Sequence, residues 1–298
     1  MALRTHSMQR KGHATPRATV NGVSIHYELA EPADRITAAS EPLVLVHGSW
    51  VDHHVWDVVT PALASSQRVL RFDRRGHGIS ERTPGNGGMQ VNAEDLAALI
   101  VALDLGPAHI VGVSWGGSIA LALAATRPDL FLSLSVHEPP LFALASDNGP
   151  SRAELKELSR SLETVVKLLS AGDFEAGART YVDQVAQQPG TWSKLPQAVR
   201  DVYLDNAPAY LDQCLSADQW SVDLEALRSF PHHALLTEGD LRGSIFHHAL
   251  DRLAEVLPET ERRLLPGTAH RPQLTHPAAY AEALLVFTQS VGRAVPTR

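Results

Sequence analysis

Ser114 stands in the run Gly112-Val113-Ser114-Trp115-Gly116, a G-x-S-x-G pattern. A serine hydroxyl becomes a nucleophile only when a base takes its proton. The pattern alone is weak, because a chain of this length meets it by chance roughly one time in ten. Its surroundings strengthen it. An apolar run, AHIVGV at 108–113, precedes the serine, and GGSIALALAATRP follows it. That order places Ser114 on a strand-to-helix turn, where small neighbours leave the hydroxyl clear of the sheet.

A base and a carboxylate must then come from elsewhere in the chain. GTAHRPQLTHP, 267–277, offers His270 in a glycine-containing loop after the strand candidate 261–265. His276 is the fallback, but it abuts Pro277 at a helix start. The carboxylate expected to orient His270 is Asp240, just past the strand candidate 232–240, and Glu238 lies two residues earlier within it. Glu138, which ends the strand candidate 131–138, competes as the orienting acid or as a pocket residue. Negative charge developing on a carbonyl oxygen needs donors fixed in advance. The expected donors are the backbone N–H of Trp115 and, after His47-Gly48, that of Ser49.

The elements that must position these groups alternate. Continuous apolar runs at 42–48, 67–73, 108–113, 131–138 and 232–240 read as strands covered on both faces. Helical stretches lie between them at 54–64, at 92–106 with Asn92 as the expected cap, and after Ser114. Asn21-Gly22 predicts a tight hairpin between two short strands near the start. The fold class is therefore α/β, a mostly parallel sheet with helices on both faces. From about 141 to 219 the pattern turns wholly amphipathic and helical. The expected organisation is a flexible arm over 1–16, a core over 17–140 and 220–298, and an inserted helical cap over 141–219.

The chain has 298 residues, 44% hydrophobic and 20% charged, with a formal net charge of −7, which fits a globular protein that does not bind nucleic acid. Cys214 is the sole cysteine, so no internal disulfide forms, and the expected compartment is cytoplasmic. No apolar run is long enough to span a membrane. The adjacent pairs His232-His233 and His247-His248 share no face, so no metal site is expected, and no cofactor. The expected partner is a small-molecule substrate; composition leaves open whether the chain is a monomer or a homodimer.

HGSW at 47–50, DRRGHGIS at 73–80, GVSWGGS at 112–118, TEGD at 237–240 and PGTAH at 266–270 fall in one order. Together they resemble the α/β-hydrolase superfamily over residues 17–292, the insertion apart. The resemblance implies an eight-stranded sheet with a helical cap. It places the triad on Ser114, Asp240 and His270 and the oxyanion hole on Ser49 and Trp115. Asp73, Arg74 and Arg75 would hold the surrounding loops. A serine rather than an aspartate at 114 argues against epoxide or halide chemistry, and Trp115 stands where cofactor-free oxygenases have histidine. HGSW departs from the HGGPG loop of proline iminopeptidases.

The expected reaction is hydrolysis of a small or medium apolar ester or lactone through an acyl-serine. A C–C bond hydrolase, an iminopeptidase-like amidase, a lyase, or a receptor built on a hydrolase pocket are the alternatives. Trp50, Glu138, Phe142, Trp192, Tyr203 and Tyr210 are the candidate pocket residues. His53 and His54 read as surface residues at a helix start.

Overall fold

The computed structural model describes residues 15–32, 41–145, 149–218, 222–241 and 244–294. Most of the arm expected over 1–16 lies outside them. The first described strands, β1 (Arg17–Val20) and β2 (Val23–Ala30), are joined by Asn21 and Gly22, both with positive φ, as a two-residue hairpin turn requires. Six further strands follow: β3 (Leu43–Val46), β4 (Val69–Phe72), β5 (Ala108–Val113), β6 (Phe131–His137), β7 (His233–Gly239) and β8 (Thr260–Leu265). They form one sheet in the order β1-β2-β4-β3-β5-β6-β7-β8. The pairs β1–β2 and β2–β4 are antiparallel, and all the others are parallel. Every residue of β3 and β5 is buried, which is why their sequences show no polar alternation.

Helices cover both faces. A short α1 (Thr60–Leu63) leads towards α2 (Met89–Ala102) and α3 (Trp115–Thr126). The stretch expected as one helix over 54–64 is instead a 3-10 turn, His53–Trp56, followed by α1 with Pro61 in its first turn. Asn92 is not a cap. Gly88 occupies that position, and the buried Asn92 side chain bonds Arg74 and the carbonyls of Gly87 and Gly88.

Between β6 and β7 the chain leaves the sheet. Here lie α4 (Gly149–Ser170), α5 (Phe174–Tyr181) and α6 (Gln197–Leu215). The chain rejoins the sheet through α7 (Leu224–Leu227), and α8 (Ser244–Val256), α9 (Pro272–Thr275) and α10 (Pro277–Ala294) complete it. One apolar core joins β3, β4, β5 and β6 to α2, α3 and α8; a second packs α1 and α10 on the opposite face. A third, centred on Trp50, Tyr203 and Tyr210, ties the inserted helices to the loop after β3. No helix among the described residues is long and apolar enough to cross a membrane.

Candidate active site

Ser114 is the hinge between β5 and α3, and its backbone is unusual, with φ 55° and ψ −128°. A non-glycine residue there costs about 1–3 kcal/mol, so the surroundings must hold it. They do. The Ser114 N–H donates to His137 O at 2.9 Å, and its carbonyl accepts from Gly117 N–H at 2.8 Å, starting the helix. The two glycines of the motif answer to close backbone approach. A Cβ on Gly112 would lie 2.3 Å from Gly116 O, and one on Gly116 would lie 2.1 Å from Val46 O. The sharp turn presents Ser114 to a cavity of about 250 Å³, with the positive end of α3 beneath it.

His270 lines the same cavity. Its Nδ1 lies 2.7 Å from Glu138 Oε2, and its ring stacks on Phe246 with centroids 4.9 Å apart. A carboxylate only accepts, so Nδ1 carries the proton and Nε2 is left as the basic nitrogen. Glu138 is fully buried, and its other oxygen accepts from Gly239 N–H at 2.9 Å. Burial pushes its carboxyl pKa up. The hydrogen bond and charge of His270, with His137 and the Gly239 amide, outweigh that and hold it below the ordinary glutamate range. The neighbouring His137 is driven down to about 4, chiefly by burial, and so stays neutral.

Asp240, the expected orienting acid, does not meet His270. It is exposed, and its Oδ1 accepts from Gly267 N–H at 2.8 Å. The cause is local crowding: a Cβ on Gly239 would lie 2.4 Å from Thr268 O, so the end of β7 runs hard against the His270 loop. Asp240 turns outward to pin that loop. Glu138 takes the place beside the imidazole because Val113 pairs with His137 in register, which sets Glu138 next to Ser114 at the sheet edge. Its φ of 42° turns the chain there. The fallback His276 is exposed, and its ring bonds only the neighbouring Thr275 among the described residues.

The loop after β3 approaches the serine closely: a Cβ on Gly48 would lie 3.1 Å from Ser114 Cβ. Two groups turn the Gly48 carbonyl away. His47 Nδ1 lies 2.8 Å from it, and Arg74 Nη2 donates to it at 3.0 Å. His47 Nε2 accepts from Arg74 N–H, so the proton sits on Nδ1. In a trans peptide the N–H opposes the C=O, so the Ser49 N–H points away from Arg74. Ser49 itself lines the cavity with Ser114. Trp115 begins α3, where helical N–H groups aim along the axis. Asp73 and Arg75 brace the surroundings. Asp73 accepts from the N–H groups of His53 and Ile79, and Arg75 pairs with buried Asp95.

Of the aromatic candidates, Phe142 and Tyr210 line the cavity, whereas Trp50, Trp192 and Tyr203 do not. Trp50 is 1% exposed, and its ring lies 4.3 Å from Tyr210, 4.9 Å from Tyr181 and 5.7 Å from Tyr203. These rings bury large apolar area where the insertion meets the sheet. Tyr181, Leu158, Leu162, Ile245, Phe246 and Gln213 also line the wall, and sequence reasoning had missed them. Their sole signal was position, on amphipathic helices whose inner face no pattern could orient toward a cavity.

His53 is not a surface residue. It is buried, with Nδ1 2.7 Å from Asp73 Oδ1 and Nε2 3.7 Å from Glu28 Oε1. With His26 it forms the one group among the described residues whose His and Asp ligand atoms converge, within 4.8 Å. Those atoms are engaged internally: Asp73 takes two bonds from His53, and His26 Nδ1 meets Pro16 O at 3.0 Å.

Residues 43–283 match the model of a family described as the alpha/beta hydrolase family. A pimeloyl-[acyl-carrier protein] methyl ester esterase of Klebsiella pneumoniae (strain 342) is 31% identical over 259 residues, covering 84% of this chain and 94% of that protein. The solved enol-lactonase of Burkholderia xenovorans LB400 superposes with a TM-score of 0.72 at 21% identity, over 92% of this chain and all of that one. A thermophilic esterase of Thermogutta terrifontis gives 0.71 at 20% identity, over 93% and 99%.

Proposed function

From a chain that belongs to the alpha/beta hydrolase family and is a hydrolase, we infer the reaction and the residues that perform it. The protein cleaves small or medium apolar carboxylic esters or lactones through an acyl-Ser114 intermediate. The observation that carries this reading is a cavity of about 250 Å³ onto which Ser114 and His270 both open, with buried Glu138 bonded to the far side of the imidazole.

That arrangement supports a role for each group. His270 Nε2 takes the Ser114 proton as Oγ attacks the substrate carbonyl. Glu138 keeps the other proton on Nδ1 and stabilises the imidazolium. The N–H groups of Ser49 and Trp115 receive the oxyanion. Collapse of the tetrahedral intermediate passes the proton from His270 to the leaving alkoxide, freeing the alcohol. A water then repeats the sequence on the acyl-enzyme and restores Ser114. The apolar walls, among them Phe142, Leu158, Leu162 and Ile245, favour a short aliphatic or aryl group. The methyl ester and enol-lactone activities named for the relatives support ester and lactone substrates.

The test is a series of p-nitrophenyl esters from acetate to decanoate. Activity should peak at short chains and fall to background in Ser114→Ala. Full activity in that variant would defeat the assignment.

A further inference from the structure

Gln213 has no task in the reaction above, although it sits on the cavity wall. It lies near the end of α6, is 3% exposed, and shares the lining with Ser49 and Ser114. Ser49 Oγ donates to Gln213 Oε1 at 3.0 Å. With Oε1 turned to the loop, Nε2 is the other end of the amide. It makes no hydrogen bond among the described residues. The wall is mixed, with Glu154, Glu157 and Gln184 beside Phe142, Leu158 and Leu162, and a donor on it that no described protein group uses is open to an acceptor on whatever fills the cavity.

The amide is also held rigidly. Just before it in α6, Asn206 Oδ1 accepts from Gly78 N–H at 2.9 Å, and Asp212 takes Arg82 Nε at 2.8 Å and Gly85 N–H at 3.0 Å. The helix is thus bolted to the loop after β4, while Gln213 reaches across to the loop after β3. A donor so fixed, on an amide bonded to Ser49, the residue after Gly48 with its close contact to Ser114, is set to read an atom near the scissile carbonyl.

We propose that Gln213 is a specificity-determining residue that donates from Nε2 to a second acceptor oxygen on the substrate, within two or three bonds of the scissile carbonyl. The substrate class is then an oxygen-substituted ester or lactone rather than a plain alkyl one. This rests on the hydrolase reading of the same cavity.

The test compares p-nitrophenyl 2-ethylbutanoate with p-nitrophenyl 2-methoxybutanoate, and butyl butanoate with 2-methoxyethyl butanoate. Each kcat/KM is divided by that ester's own alkaline hydrolysis rate to remove electronic activation. The methoxy ester of at least one pair should be favoured about tenfold, the size of one neutral hydrogen bond. Gln213→Leu should abolish that ratio. Gln213→Glu, which keeps an acceptor for Ser49 but offers no donor, should abolish it too. A purely structural role would lower all four esters together and leave the ratios intact, which would overturn the proposal, as would the absence of any preference in the unaltered protein. Fluorophosphonate labelling of the same preparations separates the two layers. Ser114 labelled with unchanged ratios sinks the Gln213 role alone, and Ser114 unlabelled in folded protein sinks the hydrolase reading with it.

Discussion

Replacing Glu138 by glutamine changes one atom and tests the site at its base. The Glu138 carboxylate accepts two hydrogen bonds among the described residues, from Gly239 N–H at 2.9 Å and from His270 Nδ1 at 2.7 Å. A glutamine can serve only one of these as an acceptor. The Gly239 amide cannot turn, so the oxygen goes there and the NH2 group meets His270. The imidazole must then present a lone pair on Nδ1, which moves its proton to Nε2, where it can no longer accept from Ser114. The negative charge that would stabilise the imidazolium is lost as well. The expected cost is about 10³–10⁴ in kcat, or about 4–5.5 kcal/mol of barrier. KM should move little, because Glu138 is fully buried behind the imidazole and is not among the cavity-lining residues. Asp240→Asn should leave kcat within a few-fold, since exposed Asp240 bonds only the Gly267 amide among the described residues. The assay is steady-state hydrolysis of p-nitrophenyl butyrate, with circular dichroism to confirm folding. If Asp240→Asn were the inactive variant and Glu138→Gln the active one, the reasoning from geometry would be refuted.

Three further outcomes follow from other parts of the molecule. His53 is raised to about 9: burial pulls it down, but its hydrogen bond to Asp73 and the nearby Glu28 carboxylate outweigh that. A base whose folded pKa exceeds its unfolded value of 6.5 contributes stability that is complete below that value and is lost as pH rises through about 9. The melting temperature of the protein should therefore exceed that of His53→Gln at neutral pH, and the gap should close above about pH 9; a gap independent of pH would contradict the charged pair. Gly116→Ala drives a Cβ to 2.1 Å from Val46 O, so it should cost about 3 kcal/mol or more in urea unfolding, and a cost under 1 kcal/mol would show that α3 can slide on β3. Trp50→Ala removes the ring that three tyrosines surround, at about 3–5 kcal/mol. Limited proteolysis should then cut first within α4 to α6, and an unchanged cleavage pattern would deny Trp50 its anchoring role.

The strands were legible because a parallel sheet buried on both faces leaves continuous apolar runs, and β3 and β5 show that character in four and six letters. Ser114 and His270 could be picked out because each follows a strand in a glycine-bearing segment. The orienting acid could not be settled. Asp240 and Glu138 both end strands, and the choice turns on the crowding of Gly239 against Thr268 and on the φ of 42° at Glu138, neither of which a sequence pattern carries. Trp192 and Tyr203 read as pocket residues because an aromatic ring serves a cavity and a packed seam equally well, and composition is silent on which. His53 read as a surface residue because its partners, Glu28 and Asp73, come from distant strands. Asn92 has the chemistry of a cap, but Arg74 draws it inside the helix.

The central claim is that Ser114 is a nucleophile activated by His270. Intact-mass analysis after a fluorophosphonate probe, with peptide mapping, tests it most directly. One adduct per chain on Ser114 is expected, formed far more slowly in His270→Ala and in Glu138→Gln but at nearly the normal rate in Asp240→Asn. A folded protein that takes no adduct, or takes it on another residue, would contradict the account.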